Sequence, residues 1–403
     1  MKPYASYKPS GVSWLGGDIP SQWLSKRIKH VTAMRSGEGI TAEAIDESGT
    51  YPVYGGNGIR GFTVEKTHSG EFVLVGRQGA LCGNVHYVVG DFWASEHAVV
   101  STLYAGDNPR WATYMLEFMN LGQYSLAAAQ PGLAVDTIQQ LKLPVPPPDE
   151  QQVITDYLDV ETVRIDTLIH EKDELIGLLK EARASVIDRA VQPRQTKAAP
   201  LKRYVKGIAT GPFGSALHSE DYVSGGAFLI NPTHIVLGKL APDADVSLSN
   251  ETARALSVYR FKAGDIVVGR RGEMGRCAVV PDDGEAYYCG TGCLMLFPDT
   301  SKVVPSYLAM VISSTPSKDW LSLESVGSTM ENLNSEILAR LPCFIPCIDE
   351  QIFLLEQIQT EIAAFDNLLT YVHDEITLLK ELRAATIADA VLGRVDVRTA
   401  PKQ

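Results

Sequence analysis

Two stretches of the chain carry apolar residues in steps built from four and three. The first runs through Ile154, Leu158, Ile165, Leu168, Leu175, Leu179, Ala182 and Val186, and the second through Leu355, Ile358, Ile362, Phe365, Leu369, Val372, Ile376 and Leu379. Such spacing keeps one apolar stripe on a helix and marks a coiled-coil seam. Both stretches therefore predict long helices, each of about forty residues and so about 60 Å in length. The first has a strong start signal: Pro146-Pro147-Pro148 forces an extended approach, Asp149 is placed to cap, and Gln152 stands where a capping box requires it. The second keeps Pro346 and Asp349 but has Ile352 at the third position, which predicts a weaker cap.

The two stretches are copies of one another at an offset of 200 positions. Asp149-Glu150-Gln151 coincides with Asp349-Glu350-Gln351, and Leu178-Leu179-Lys180-Glu181 with Leu378-Leu379-Lys380-Glu381. Asp166, Leu168, Arg183, Ala184, Ile187, Ala190 and Val191 each meet an identical residue, and Leu133 and Leu141 extend the register upstream. A period this long excludes a solenoid and predicts two tandem units, each a globular lobe followed by a long helix. The boundaries read as 1–145 for an N-terminal segment and first lobe, 146–195 for the first helix, 196–345 for the second lobe, and 346–403 for the second helix and a tail. Neither helix can bury its stripe against one small lobe, so pairing with the other is expected. A lobe lies between them, which favours an antiparallel pair with the lobes at opposite ends. Tandem copies in one chain sit at high effective concentration, which favours that pair over a dimer of two chains.

The lobes read as mixed and strand-rich, giving an α+β class with a pseudo-twofold tandem repeat. In the first, the turn-rich segment Tyr51 to Phe62 leads to a strand over Glu71 to Val75, followed by Gly76-Arg77-Gln78-Gly79. In the second, Asp265 to Val268 is followed by Gly269-Arg270-Arg271-Gly272 and then Gly275-Arg276. Flanking glycines permit close backbone approach, and Arg and Gln pair bidentately with guanine and adenine edges. Asn57, Arg60, Arg77, Gln78, Arg270, Arg271 and Arg276 are thus the candidate DNA contacts, against the plain reading of a glycine-bounded hairpin with solvated arginines. The loops differ in length, Gly79 to Gly83 being one residue longer than Gly272 to Gly275, so they do not superpose side chain for side chain.

Charge refines this picture. The chain's formal charge is -12, but the helix over Asp149 to Val191 carries -6 and that over Asp349 to Val391 carries -7, leaving both lobes near neutral. Unaided phosphate binding by such lobes is weak, since affinity for DNA scales with the phosphates neutralised; a more basic partner is expected. The N-terminus has no apolar signal region and no run is long enough to span a bilayer, which predicts a cytoplasmic protein with no membrane partner. Six cysteines without a Cys-x-x-Cys pair indicate neither a disulfide framework nor a zinc site, and Cys289 and Cys293 read as buried thiols. No phosphate-binding Gly-x-x-x-x-Gly-Lys-[Ser/Thr] loop occurs, and Asn231-Pro232-Thr233-His234 reads as an ordinary turn.

Several motifs, in order and twice over, resemble the specificity subunits of type I restriction-modification systems. These are Ser10-Gly11-Val12-Ser13-Trp14-Leu15-Gly16 with Ile19-Pro20-Ser21-Gln22-Trp23, then Gln130-Pro131-Gly132-Leu133 with Leu143-Pro144-Val145-Pro146-Pro147 and Asp149-Glu150-Gln151. Gly327-Ser328-Thr329 with Asn332-Leu333-Asn334, and Ile345-Pro346-Cys347-Ile348-Asp349-Glu350-Gln351, match the second exit. Tyr51 to Phe62 and Phe92-Trp93-Ala94-Ser95-Glu96-His97-Ala98 resemble a recurring type of target-recognition domain. The second half lacks a counterpart of the tryptophan-containing opening segment.

The resemblance implies a non-catalytic subunit whose lobes each read one half of a bipartite, asymmetric site on double-stranded DNA, with the paired helices fixing the unread spacer. Ile154, Leu158, Ile165, Leu168, Leu175, Leu179, Ile358, Phe365, Val372 and Leu379 are expected to pack that pair. Two modification subunits, which bind S-adenosylmethionine, are expected to dock on the helices, and restriction subunits to supply ATP- and Mg-dependent translocation and cleavage; this chain itself is expected to bind no cofactor or metal. Two other readings stand beside it: a coiled-coil scaffold that does not read DNA, and a self-contained enzyme built around His86 or the neighbouring Glu96 and His97.

Overall fold

A computed structural model of the chain describes residues 2–79, 81–125, 132–192, 197–212, 217–325 and 333–399. It divides into two compact units, Met1–Lys172 with Glu375–Gln403, and Asp173–Asp374. Each unit holds one lobe together with part of each long helix.

The first lobe is built on a six-stranded sheet in the order Thr32–Ser36, Ala98–Leu103, His68–Gly76, Val85–Ala94, Tyr51–Gly55, Gly58–Thr63. All neighbours are antiparallel except Tyr51–Gly55 against Val85–Ala94, which run parallel. The apolar run Val73-Leu74-Val75 shows why both faces are covered. Side chains alternate across a strand, so Val73 and Val75 enter a core with Trp111 and Met115 of the helix Pro109–Phe118, while Leu74 enters a second cluster with Val88 and Phe92.

The second lobe repeats the scheme on an unrelated sequence. Its main sheet runs Val205–Thr210, Cys293–Pro298, Ile266–Gly269, Cys277–Val279, all antiparallel. Ile266 and Val268 face a core with Tyr307 and Leu308 of the helix Pro305–Ser313, and Val267 faces another with Ala278 and Met295. A second sheet, containing the parallel pair Ala227–Ile230 and Tyr287–Cys289, stands in place of the first lobe's outer hairpin.

The long helices span Pro148–Val191 and Ile348–Val391, each 44 residues and again offset by 200. Helix formation begins one residue before Asp149, which lies within the first turn rather than at the cap. Proline's preset φ and missing N–H suit the start of a helix, so Pro148 opens it, and Gln152 reaches sideways to accept from Asn108 Nδ2 at 2.8 Å instead of closing a capping box. Within each unit the helices run antiparallel: Arg383 meets Asp166 in the first, and Arg183 meets Asp366 and Arg189 meets Glu361 in the second.

Ile154, Leu158, Ile165 and Val372 are buried, and Leu168, Leu179, Ile358, Phe365 and Leu379 half-buried. Leu175 is 36% exposed, whereas Ile176 beside it is buried. About six turns on from Ile154, a repeat of 3.5 residues reaches position 175, whereas a straight helix at 3.6 reaches position 176. The departure is local, since Leu158, Ile165, Leu179 and Val186 in the first helix and Ile358, Phe365, Val372 and Leu379 in the second keep the seven-residue step and are all buried or half-buried.

The internal repeat now has a physical reading. Ile187, Ala190 and Val191 close the second lobe's core, and Ile387, Ala390 and Val391 close the first. Gln151 and Gln351 are fully buried and do the same work twice. Gln151 Oε1 accepts from the Asn108 backbone N–H at 2.8 Å and Gln351 Oε1 from that of Val304 at 2.7 Å, which ties each long helix to the start of the short helix beside it.

Candidate nucleic-acid interface

In the first lobe, backbone packing brings the two sequence-identified segments together. Gly76 ends its strand so close to the Tyr51–Thr63 hairpin that a Cβ there would fall 2.0 Å from the Gly56 carbonyl oxygen, and a Cβ on Gly56 would fall 2.7 Å from that of Gln78. Only glycine fits this approach. Asn57, Arg60 and Gln78 are exposed, and Arg77 is partly exposed. The Arg60 stem crosses Gly55, Asn84 Nδ2 donates to Asn57 Oδ1 at 2.6 Å, and the Arg77 guanidinium donates to Ser36 Oγ at 3.1 Å. The backbone at Arg77 is fixed by hydrogen bonds from Arg77 N to His97 O at 2.8 Å and from Leu133 N to Arg77 O at 2.9 Å.

The second lobe fixes its loop by the same pair of bonds, Arg270 N to Gly292 O at 2.9 Å and Leu333 N to Arg270 O at 2.9 Å. Arg77 and Arg270 are therefore equivalent positions at the end of equivalent strands. The third glycines also correspond despite the length difference, since a Cβ would collide with the Gly122 backbone at Gly83 and with the Ile312 carbonyl at Gly275. The three arginines divide here. Arg271 is exposed. Arg270 donates from Nε to Leu333 O at 3.1 Å and braces the loop. Arg276 is half-buried, donating to Pro232 O at 3.2 Å and pairing with Glu273 at 3.4 Å, which Lys318 also holds. Two of its guanidinium nitrogens are thereby occupied within the lobe.

His97 Nε2 lies 3.1 Å from Glu96 Oε1, and burial pushes the half-buried His86 imidazole below its ordinary pKa. Burial likewise pushes Cys277, Cys293 and Cys343 up to about 12 and Cys289 well above a normal thiol. No group of three or more metal-binding side chains occurs among the described residues. Residues 231–234 form a capped turn in which His234 Nδ1 sits 2.9 Å from Leu229 O. Gln130, Pro131, Gly327, Ser328, Thr329 and Asn332 lie outside the described residues.

Sequence reasoning passed over Glu150. It is almost wholly buried, receives Trp23 Nε1 at 3.0 Å and the Tyr4 hydroxyl, and lies 3.9 Å from Arg398. The opening segment, the first long helix and the tail meet on this carboxylate. The one available signal was the tryptophan-bearing segment that the second half lacks.

Known proteins supply the comparison. The family model for the type I restriction modification DNA specificity domain matches residues 20–176 and again 229–384. The specificity subunit of the Escherichia coli type I restriction enzyme EcoprrI is 44% identical over 178 residues, covering 43% of this chain and 43% of that one. A putative type I restriction enzyme specificity subunit of Haemophilus influenzae is 26% identical over 327 residues, covering 78% of this chain and 81% of its own. The fold is shared with a solved chain from work on complex assembly and conformational transition of the type I R-M system, at a TM-score of 0.63 and 16% identity over 94% of this chain and 99% of that one. Two copies of the domain model, together spanning most of the sequence, settle the assignment: the chain belongs to the type I restriction-modification DNA specificity family.

Proposed function

We propose that the chain is the DNA-reading subunit of a type I restriction-modification complex, with one lobe on each half of a bipartite site and the helix pair setting the spacer between them. The observation that carries this reading is the recurrence of one loop, glycine then arginine, at the end of the equivalent strand of two sheets in which four strands follow the same order. The frame around the loops repeats, whereas their exposed side chains, Gln78 in one lobe and Arg271 in the other, do not. That is the pattern expected of two readers with different targets.

Catalysis belongs to the partners. S-adenosylmethionine is bound by the modification subunits and ATP with Mg by the restriction subunits, all in the cytoplasm where the DNA lies. Among the described residues no helix is long and apolar enough to cross a membrane. The modification subunits also supply the basic surface that the near-neutral lobes lack.

Two such subunits dock because the repeat offers two equivalent places. Leu178 and Leu378 lie in the same repeated Leu-Leu-Lys-Glu run, stand 63% and 62% exposed, and help close neither core, unlike the repeated Ile187, Ala190 and Val191 and their counterparts. Replacing either leucine with aspartate is expected to reduce the assembly from two modification subunits to one, and replacing both to abolish it. Mass photometry of the reconstituted complex reads this directly, and two subunits retained on the doubly substituted chain would rule out these sites.

Readout is tested at Arg271 and Arg270. In the assembled complex, Arg271→Ala is expected to reduce discrimination at one or two base pairs of the second lobe's half-site by about tenfold or more, the scale of a lost bidentate contact. The first half-site keeps its specificity. Arg270→Ala loosens the loop and weakens the whole second half-site. Methylation of substrates with single base changes distinguishes these results. An equal loss on every sequence for Arg271→Ala makes it a phosphate contact and contradicts base readout by that residue.

A further inference from the structure

Among the residues identical at the 200-residue offset, two bind each other's counterparts. Arg183 Nε donates to Asp366 Oδ1 at 2.8 Å, and Arg383 Nε donates to Asp166 Oδ1 at 2.9 Å. The repeat therefore encodes one ion pair twice, once in each unit and each time between the two long helices. Both arginines also reach into a lobe. Arg183 Nη2 donates to the Leu237 carbonyl at 2.9 Å, at the tip of the hairpin joining Ile235–Val236 to Lys239–Leu240, and Lys239 of that hairpin meets Asp366 at 3.0 Å. Leu237 is held at a φ of +51°, a left-handed conformation unfavourable for leucine. Arg383 Nη1 lies 3.4 Å from Glu117 Oε1 on the helix Pro109–Phe118 of the first lobe.

We infer that Arg183–Asp366 and Arg383–Asp166 are positioning clamps, each joining three elements so that helix register and lobe orientation are set together, and that they thereby determine which spacer length the complex accepts. The inference rests on the proposed division between reading lobes and spacing helices. A guanidinium suits the task because its planar fork serves two acceptors in fixed directions, which a lysine ammonium does not. The two clamps differ in burial: Asp366 is nearly enclosed, with a side chain 10% exposed, while that of Asp166 is 52% exposed. Removing the second clamp therefore disturbs folding little, since exposed pairs contribute little to stability.

The experiment uses the full chain reconstituted with its modification subunits and a library of DNA duplexes that keep both half-sites and vary the spacer by one base pair at a time. Absence of any spacer preference in the unsubstituted complex would refute the underlying reading, separately from the clamps. With a preference present, Arg383→Met is expected to reduce the ratio of best to next-best spacer at least tenfold while the half-site sequences stay the same, and Arg383→Lys to restore only part of it. Arg183→Met does the same where it folds. A folded Arg383→Met chain, with an unchanged unfolding midpoint and the original spacer ratio to within twofold, would overturn the inference.

Discussion

Trp23→Ala is expected to destabilise the first unit by about 3–5 kcal/mol, the usual cost of truncating a fully buried large aromatic. Trp23 is completely enclosed, meets Tyr4 edge-on with ring centroids 5.9 Å apart, and donates to Glu150. Gly393 has φ +68°, and a Cβ there would lie 2.5 Å from Pro20 and 3.0 Å from the indole, so the tail is laid directly over this ring. Removing the indole opens a cavity and takes one donor from a buried carboxylate, and both effects act in the same direction. Hydrogen exchange read strand by strand checks it. Protection should fall over Thr32–Ser36, His68–Gly76 and Ala98–Leu103 and persist over Ile266–Gly269 and Cys293–Pro298. A cost below about 1 kcal/mol, far under that of a filled aromatic site, would show that the segment is not built on this contact.

The sequence made the architecture legible because its two strongest signals are global. The apolar stripe and the 200-residue offset together require paired helices and two lobes. Strand positions in the lobes followed from short apolar runs such as Ile266 to Val268, whose two-faced burial the alternation explains. Register at Leu175 was not legible, because a difference of 0.1 residue per turn accumulates to about 0.6 residue over the six turns from Ile154, enough to move the nearest position by one, and periodicity alone does not choose between 3.5 and 3.6.

Candidate contacts were legible by type and loop but not by orientation. Arg270, Arg271 and Arg276 look alike in sequence, yet one donates to Leu333, one is exposed and one is held by Pro232 and Glu273. What separates them is three-dimensional supply of acceptors from distant segments. Gln151 and Gln351 show the converse: their identity at the same offset was visible, but the buried N–H groups of Asn108 and Val304 that require them were not.

If reading and spacing are physically separate functions of one chain, lengthening both helices changes the second and leaves the first. Four helix-forming residues inserted after Lys172 and four more after Asp374, at the sequence boundaries of the two units, leave the ion pairs within each unit intact. The insertion adds about 6 Å to each helix, close to two base pairs of duplex. Mapping of methylated adenines across the genome of a host carrying the lengthened chain and its modification subunits is predicted to return both half-sites unaltered and separated by a longer spacer. The original spacer, or half-sites changed in sequence, would show that the helices do not set the spacing independently of the lobes.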